Sequence, residues 1–267
     1  MIIVVLLAFA LLVAAAVYNR PNLPASGTGG TVVASGKVVT RELQFSDFKT
    51  IQIGSTFQAS ITQASSYRVS VTMNENLFTY LETTKEGQTL SIRLKSGYEY
   101  QYSSLTLKVE VGLPDLNEVQ LGGSTRCSIQ GFSLTHGLIL VVSGSSTADI
   151  ASTSAGGFET DVSGASKLTG TITVNGDAKF TVSGASTVTL GGTANNLSTV
   201  GSGASGVDLS NFKVHNTKIN LSGASHEIIN LDGRLDADLS GASNLIYIGN
   251  PTLGDINVTG GSTVSKQ

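Results

Sequence analysis

Four aspartates and one arginine crowd the C-terminal part of this chain: Asp232, Arg234, Asp236, Asp238 and Asp255. Carboxylates gathered on one face can hold a hard cation, because Ca²⁺ takes six to eight oxygen ligands. They can also divide acid and base roles in cutting sugar chains, and sugar-cleaving β-helix enzymes join aspartates, Ca²⁺ and an arginine base on one face. Asp236 and Asp255 are 19 residues apart, one period of the repeat described below, so they fall in one column, and Asp238 falls in the next beside Asn257. Carboxylates on adjacent strands, about 5 Å apart, repel each other, and a cation would relieve that repulsion. Asp236, Asp238 and Asp255 are therefore candidate Ca²⁺ ligands. The competing reading is a solvated acidic patch with no cofactor.

The other reactive residues are scattered. Cys127 is the single cysteine of the chain, which excludes an internal disulfide and a cysteine-rich metal site, and it reads as a buried small hydrophobe. His136, His215 and His226 sit at unrelated phases, without zinc spacing. No Gly-x-Ser-x-Gly nucleophile elbow occurs. Gly201-Ser-Gly-Ala-Ser-Gly206 matches the dinucleotide fingerprint letter for letter, but that motif needs a strand before it and a helix after it. Here it is one copy of a repeat, followed by Val207-Asp-Leu-Ser. The glycosylation-type triplets at Asn196, Asn220 and Asn257 are expected by chance in so hydroxyl-rich a chain. No catalytic residue is assigned.

What must position these groups is set by composition and repetition. The 267 residues hold 34 Ser, 29 Thr and 31 Gly, and only 13% are charged, against about 25% in an ordinary soluble domain. A net charge of −3 argues against nucleic acid, which needs a basic patch. With 40% hydrophobic residues the chain is not disordered. Met1 to Val17 is an unbroken apolar run, so residues 1–18 read as a signal peptide or an N-terminal membrane anchor, with Ala14-Ala15-Ala16 as a small-residue cleavage site. Any membrane contact is expected through that segment alone. Residues 19–36, with Pro21, Pro24 and several Gly, read as a flexible linker.

From residue 121 the chain repeats itself. The central glycines 123, 144, 164, 184, 203, 223, 241 and 260 are spaced by 21, 20, 20, 19, 20, 18 and 19 residues, most of them in Ser-Gly-Ala-Ser. Such a period marks a solenoid or an array, and about twenty residues are too few for a propeller blade. The flanks alternate at period two, as in Ala178-Lys-Phe180-Thr-Val182. The expected fold is all-β: a right-handed parallel β-helix, or β-solenoid, with one coil of about 20 residues per repeat. Three columns form its core: Leu121 to Val258 two before each Gly, Val119 to Ile256 four before, and Cys127 to Val264 four after. Two slots break the pattern, Gly201 and Glu227, and at the second Ile228 is expected to take the inward place through a bulge. The Ser of each corner should stack on its counterparts as a ladder of hydroxyls. Residues 117–267 are thus the regular coils. Residues 37–116 carry β alternation without a clear repeat (Ile51 and Ile53; Val69, Val71 and Met73; Leu90, Ile92 and Leu94) and read as the opening of the same solenoid, with a short helical turn near residues 76 to 83.

Ile51-Gln-Ile-Gly, Phe57-Gln-Ala-Ser-Ile, Tyr67-Arg-Val-Ser-Val, Gly87-Gln-Thr-Leu-Ser-Ile92, Leu113-Pro-Asp-Leu and the Ser-Gly-Ala-Ser repeats, in that order, resemble the putative auto-transporter adhesin, head GIN domain family. The resemblance covers roughly Phe45 to Gly260. It implies a secreted or envelope-attached bacterial β-helix and brings no catalytic residues. The expectation is a non-enzymatic extracytoplasmic surface protein, secreted, periplasmic or on the cell surface, that binds surface glycan or protein through a rigid face. The alternative is a β-helix polysaccharide lyase or hydrolase using the Asp232–Asp255 cluster. An ice or mineral binder would need a regular Thr array, and the outward columns mix Glu, Lys, Ser and Asp.

Overall fold

The computed structural model describes residues 29–101 and 105–267. The apolar run at 1–18 lies outside the described residues. No helix among the described residues is long and apolar enough to cross a membrane.

The expected solenoid is present, with 63% of the chain in strand and about seven stacked turns. Each repeat contributes one strand to each of two parallel sheets. Sheet I holds the strand that enters each glycine corner, from Glu118–Leu121 to Thr252–Val258, and sheet II the strand that leaves it, from Arg126–Gln130 to Thr263–Lys266. The register is one repeat per step: Val162 lies beside Val142 and Val182 in sheet I, and Leu168 beside Ala148 and Val188 in sheet II.

The corner explains the repeat. Its central glycines all have φ between 69° and 81°, which residues with a Cβ rarely adopt. Contact between coils adds a second constraint. A Cβ on Gly184 would lie 2.5 Å from the carbonyl oxygen of Gly164, and that oxygen accepts the N–H of Ala185 at 2.8 Å. At the head of the column stands Ser55, with φ 67°. Its Oγ accepts the N–H of Leu94.

The closing Ser of each corner turns inward. Ser146, Ser166, Ser186, Ser205, Ser225 and Ser243 are all 2% exposed or less. The Ser146 N–H donates to Ser166 Oγ and the Ser166 N–H to Ser186 Oγ, each at 3.3 Å, and Ser205 Oγ donates to Ser225 Oγ at 3.1 Å. The hydroxyl ladder thus satisfies polar groups that burial would otherwise penalise.

The three inward columns are buried through Leu239, Ala237 and Leu245. Each such Val, Leu or Ile contributes roughly 1.5–3 kcal/mol. They loosen only in the final coil, where Val258 is 42% exposed. Glu227 corrects one expectation. It keeps the inward slot, in register with Val207 and Leu245, and is completely buried. Ile228 faces outward, because the bulge of that ladder falls later, between Leu209 and Lys213. Gly201 also stays inward, and Leu221 leans into its space: a Cβ there would meet Leu221 Cδ2 at 2.7 Å.

The N-terminal region departs further from the reading. Its strands Thr50–Ile53 and Gln58–Gln63 form a coil, as do Thr89–Leu94 and Leu107–Leu113, but the order in space is not the order in the chain. The 50–63 coil lies between the 89–113 coil and the first regular one. Antiparallel strands then close the stack, Leu81–Glu86 on sheet I and Arg68–Asn74 with Val38–Leu43 on sheet II. The helical turn is a 3-10 helix at Glu75–Tyr80. Part of the segment read as a linker is built into the fold. Thr31–Val33 pairs in parallel with Glu99–Gln101, Val32 is buried, and the Asn76 side chain donates to Val33 O and accepts from Ser35 N.

Candidate functional site

The acidic residues do come together on the outer face of sheet I. Asp236, Asp238, Asp255 and Asn257, with Lys218 and Asn220, border a shallow hollow of about 310 Å³. The charge of Asp236, and in part that of Asp255, is already met from within the chain. Arg234 lies on Asp236, with Nε 3.0 and 2.9 Å from its two oxygens and Nη2 2.7 Å from Oδ1. Nη2 also reaches Asp255 Oδ2 at 3.6 Å, and the Asp255 N–H donates to Asp236 Oδ1 at 2.8 Å. The Arg234 hydrogen bonds, followed by that amide, hold the Asp236 carboxyl below the usual carboxylate range. Among the described residues no three His, Cys, Asp or Glu side chains are grouped to share a metal ion.

Asp232 belongs to a different cluster. His215 Nδ1 is 2.9 Å from its Oδ1 and Lys213 Nζ 3.0 Å from its Oδ2. The His215 hydrogen bond, then that of Lys213, lowers its pKa. A second cluster of the same kind stands nearer the N-terminal end. There His136 Nε2 is 2.7 Å from Asp115 Oδ1, and Lys49 Nζ is 2.9 Å from Asp115 Oδ2. His136 Nδ1 lies 2.9 Å from the Gly137 carbonyl oxygen, so both ring nitrogens face acceptors and the protonated ring fits best. The Gly137 bond, then that of Asp115, raises the His136 pKa.

Two of the three histidines, His136 and His215, therefore do share a phase. Gly156 N–H donates to His136 O, Asn195 N–H to Gly176 O, His215 N–H to Asn195 O and Gly233 N–H to His215 O. Gly176 stacks on Gly156, where an added Cβ would run into the Gly156 carbonyl oxygen, so His136 and His215 occupy one column at the second corner of the coil. Coil lengths drifting between 18 and 21 residues hide that phase in the sequence. His226 is exposed on sheet II, as expected.

Two inward groups complete the inventory. Cys127 is buried, and burial pushes its thiol up to about 12, so it is inert at neutral pH. Glu227 is sealed in the core. Its Oε1 accepts the Thr199 hydroxyl at 3.1 Å, and its Oε2 has no hydrogen-bond partner. Burial, opposed only by the Thr199 bond, pushes its pKa up to about 8. Only the break in the apolar column at Glu227 marked it in the sequence.

A stack of one-coil repeats with polar outer columns and self-paired ionic groups defines a β-solenoid repeat protein. Residues 47–251 match the family described as putative auto-transporter adhesin, head GIN domain, and the chain belongs to that family. Among solved structures it is similar to a putative adhesin from Parabacteroides distasonis ATCC 8503, at 15% identity over 89% of this chain and 100% of that one, with a TM-score of 0.79. A putative adhesin from Parabacteroides merdae ATCC 43184 is similar at 18% identity over 89% and 99%, TM-score 0.76. A putative lipid binding protein from Parabacteroides distasonis ATCC 8503 follows at 20% identity over 89% and 99%, TM-score 0.75. At these identities the likeness is one of fold. No curated protein matches the chain.

Proposed function

We propose that this protein is a non-enzymatic extracytoplasmic surface protein, an adhesin or envelope scaffold whose solenoid face binds glycan or protein. The observation that carries this reading is the outer surface of the regular coils. It presents a mixed polar column from coil to coil, as in sheet II, where Arg126, Thr147, Lys167, Thr187, Gly206, His226, Asn244 and Thr263 succeed one another. Strands at about 4.8 Å spacing offer an extended ligand many evenly spaced weak contacts, and such contacts sum. Family membership supports the same reading.

The hydrolase alternative needs a carboxyl held protonated within reach of a sugar, and a lyase needs a free base, whereas Arg234 is bound to Asp236 and Asp255. Asp232 and Asp236 are both shifted the other way, and Glu227, which is pushed up, is sealed from solvent. The test is binding of the full chain to a glycan and host-matrix array, with product analysis on every glycan retained. Retention with the ligand intact is expected. Shortened or unsaturated sugar products would overturn the reading.

A further inference from the structure

We infer that Glu227 is a proton-dependent joint in the rod: with its carboxyl neutral the C-terminal coils stay stacked, and its ionisation releases them from strand His226–Leu231 onward. The geometry leaves an ionised carboxylate without compensation. Glu227 is completely buried between Val207 and Leu245. It has one hydrogen bond, from Thr199, and one oxygen with no partner. No cation faces it from the strands packed around it. Asp208 and Lys213 on one neighbour, Lys218 on the next, and Arg234, Asp236 and Asp238 on the strand beyond alternate with buried residues and stand on the outer surface, as does His226 on its own strand. Tyr247 is the one titratable group on the inward side, two residues along from Leu245. Burying a charge that is neither paired nor fully hydrogen-bonded is strongly unfavourable.

The sign follows from the two protonation states. The folded carboxyl titrates near 8 and the ordinary value is 4.5. Closed coils therefore bind a proton that open coils have lost throughout that window. Closure is most favoured below 4.5, weakens as pH rises towards 8, and levels off above it. The effect is local because each coil in a stack contacts only its neighbours. Beyond His226–Leu231, sheet II has only Asn244–Ile248 and Thr263–Lys266. The last coil is already loose, with Leu253 52% and Val258 42% exposed.

The experiment is amide hydrogen exchange on the full chain at pH 6 and pH 8, corrected for intrinsic exchange, in the wild type, Glu227→Gln and Glu227→Leu. The opening constant at Ile229 and Leu245 should rise about fiftyfold between those pH values in the wild type. Ile129 and Ile150, in the coils where His136 titrates, should move far less than that, and Leu245 should stay flat in both variants. Should Glu227→Gln fail to fold, Glu227→Leu, which matches its column neighbours, carries the comparison. The same rise at Leu245 in Glu227→Leu, no rise in the wild type, or an equal rise at Ile129 would overturn the inference.

Discussion

Replacing Gly184 by alanine tests the corner most sharply. Gly184 sits at φ 74°, and an alanine there costs roughly 1–2 kcal/mol from backbone conformation alone. The added Cβ would stand 2.5 Å from the Gly164 carbonyl oxygen, well inside van der Waals contact, and backbone has little room to yield. Relieving that overlap means parting the two coils where Ala185 N–H meets the same oxygen at 2.8 Å, which puts a further hydrogen bond worth about 1 kcal/mol at risk. The total is about 2–3 kcal/mol. The assay is equilibrium urea unfolding of Gly184→Ala beside Ala185→Ser. The second change is a control, because Ser145 fills the equivalent exposed place one coil pair away, and it should move stability by less than about 0.5 kcal/mol. A Gly184→Ala variant as stable as the control would refute the view that close stacking of corners selects glycine.

Other expectations rest on separate parts of the molecule. Ser186→Ala removes the acceptor of the buried Ser166 N–H and should cost about 1–3 kcal/mol in the same urea assay. His136 should titrate above 6.5 by NMR, with Asp115→Asn moving it back down. Because its folded pKa is raised, its contribution to stability is complete below 6.5 and disappears as pH climbs through the folded value. Millimolar Ca²⁺ should leave the melting temperature unchanged, since Arg234 already meets Asp236 and Asp255. A rise that Asp236→Ala abolishes would instead establish the cation site at Asp236, Asp238 and Asp255.

The regular coils were legible because their physics is local and repeated. A glycine at each corner, an inward Ser after it and apolar residues at period two recur with the coil, so columns such as Val142, Val162 and Val182 could be assembled by eye. The N-terminal threading was not legible. Val69, Val71 and Met73 alternate in the same way whether their strand pairs in parallel or antiparallel, and no local pattern says that residues 50–63 sit between two later coils. Ser55 in a glycine slot hid the first corner of the stack. Glu227 looked like a phase error because a carboxyl in an apolar column contradicts the usual cost of burial, yet the backbone register keeps it inward. Asp236, Asp238 and Asp255 do share one face, but Asp232 pairs elsewhere with Lys213 and His215, and the reach of Arg234 across Asp236 to Asp255 depends on side-chain conformation that spacing does not encode.

The claim that each repeat is one coil of the rod is tested most directly by a pair of deletions. Removing Gly164 to Ser183 joins Ser163 to Gly184 and keeps every column in phase. Removing Gly164 to Thr173 joins Ser163 to Val174, breaks a corner and expels apolar residues worth roughly 1.5–3 kcal/mol each. Circular dichroism and thermal melting of the two chains should show a β signal and a modestly lower melting temperature for the first, and loss of cooperative unfolding for the second. Equal collapse of both, or equal survival, would contradict a solenoid built one repeat to a coil.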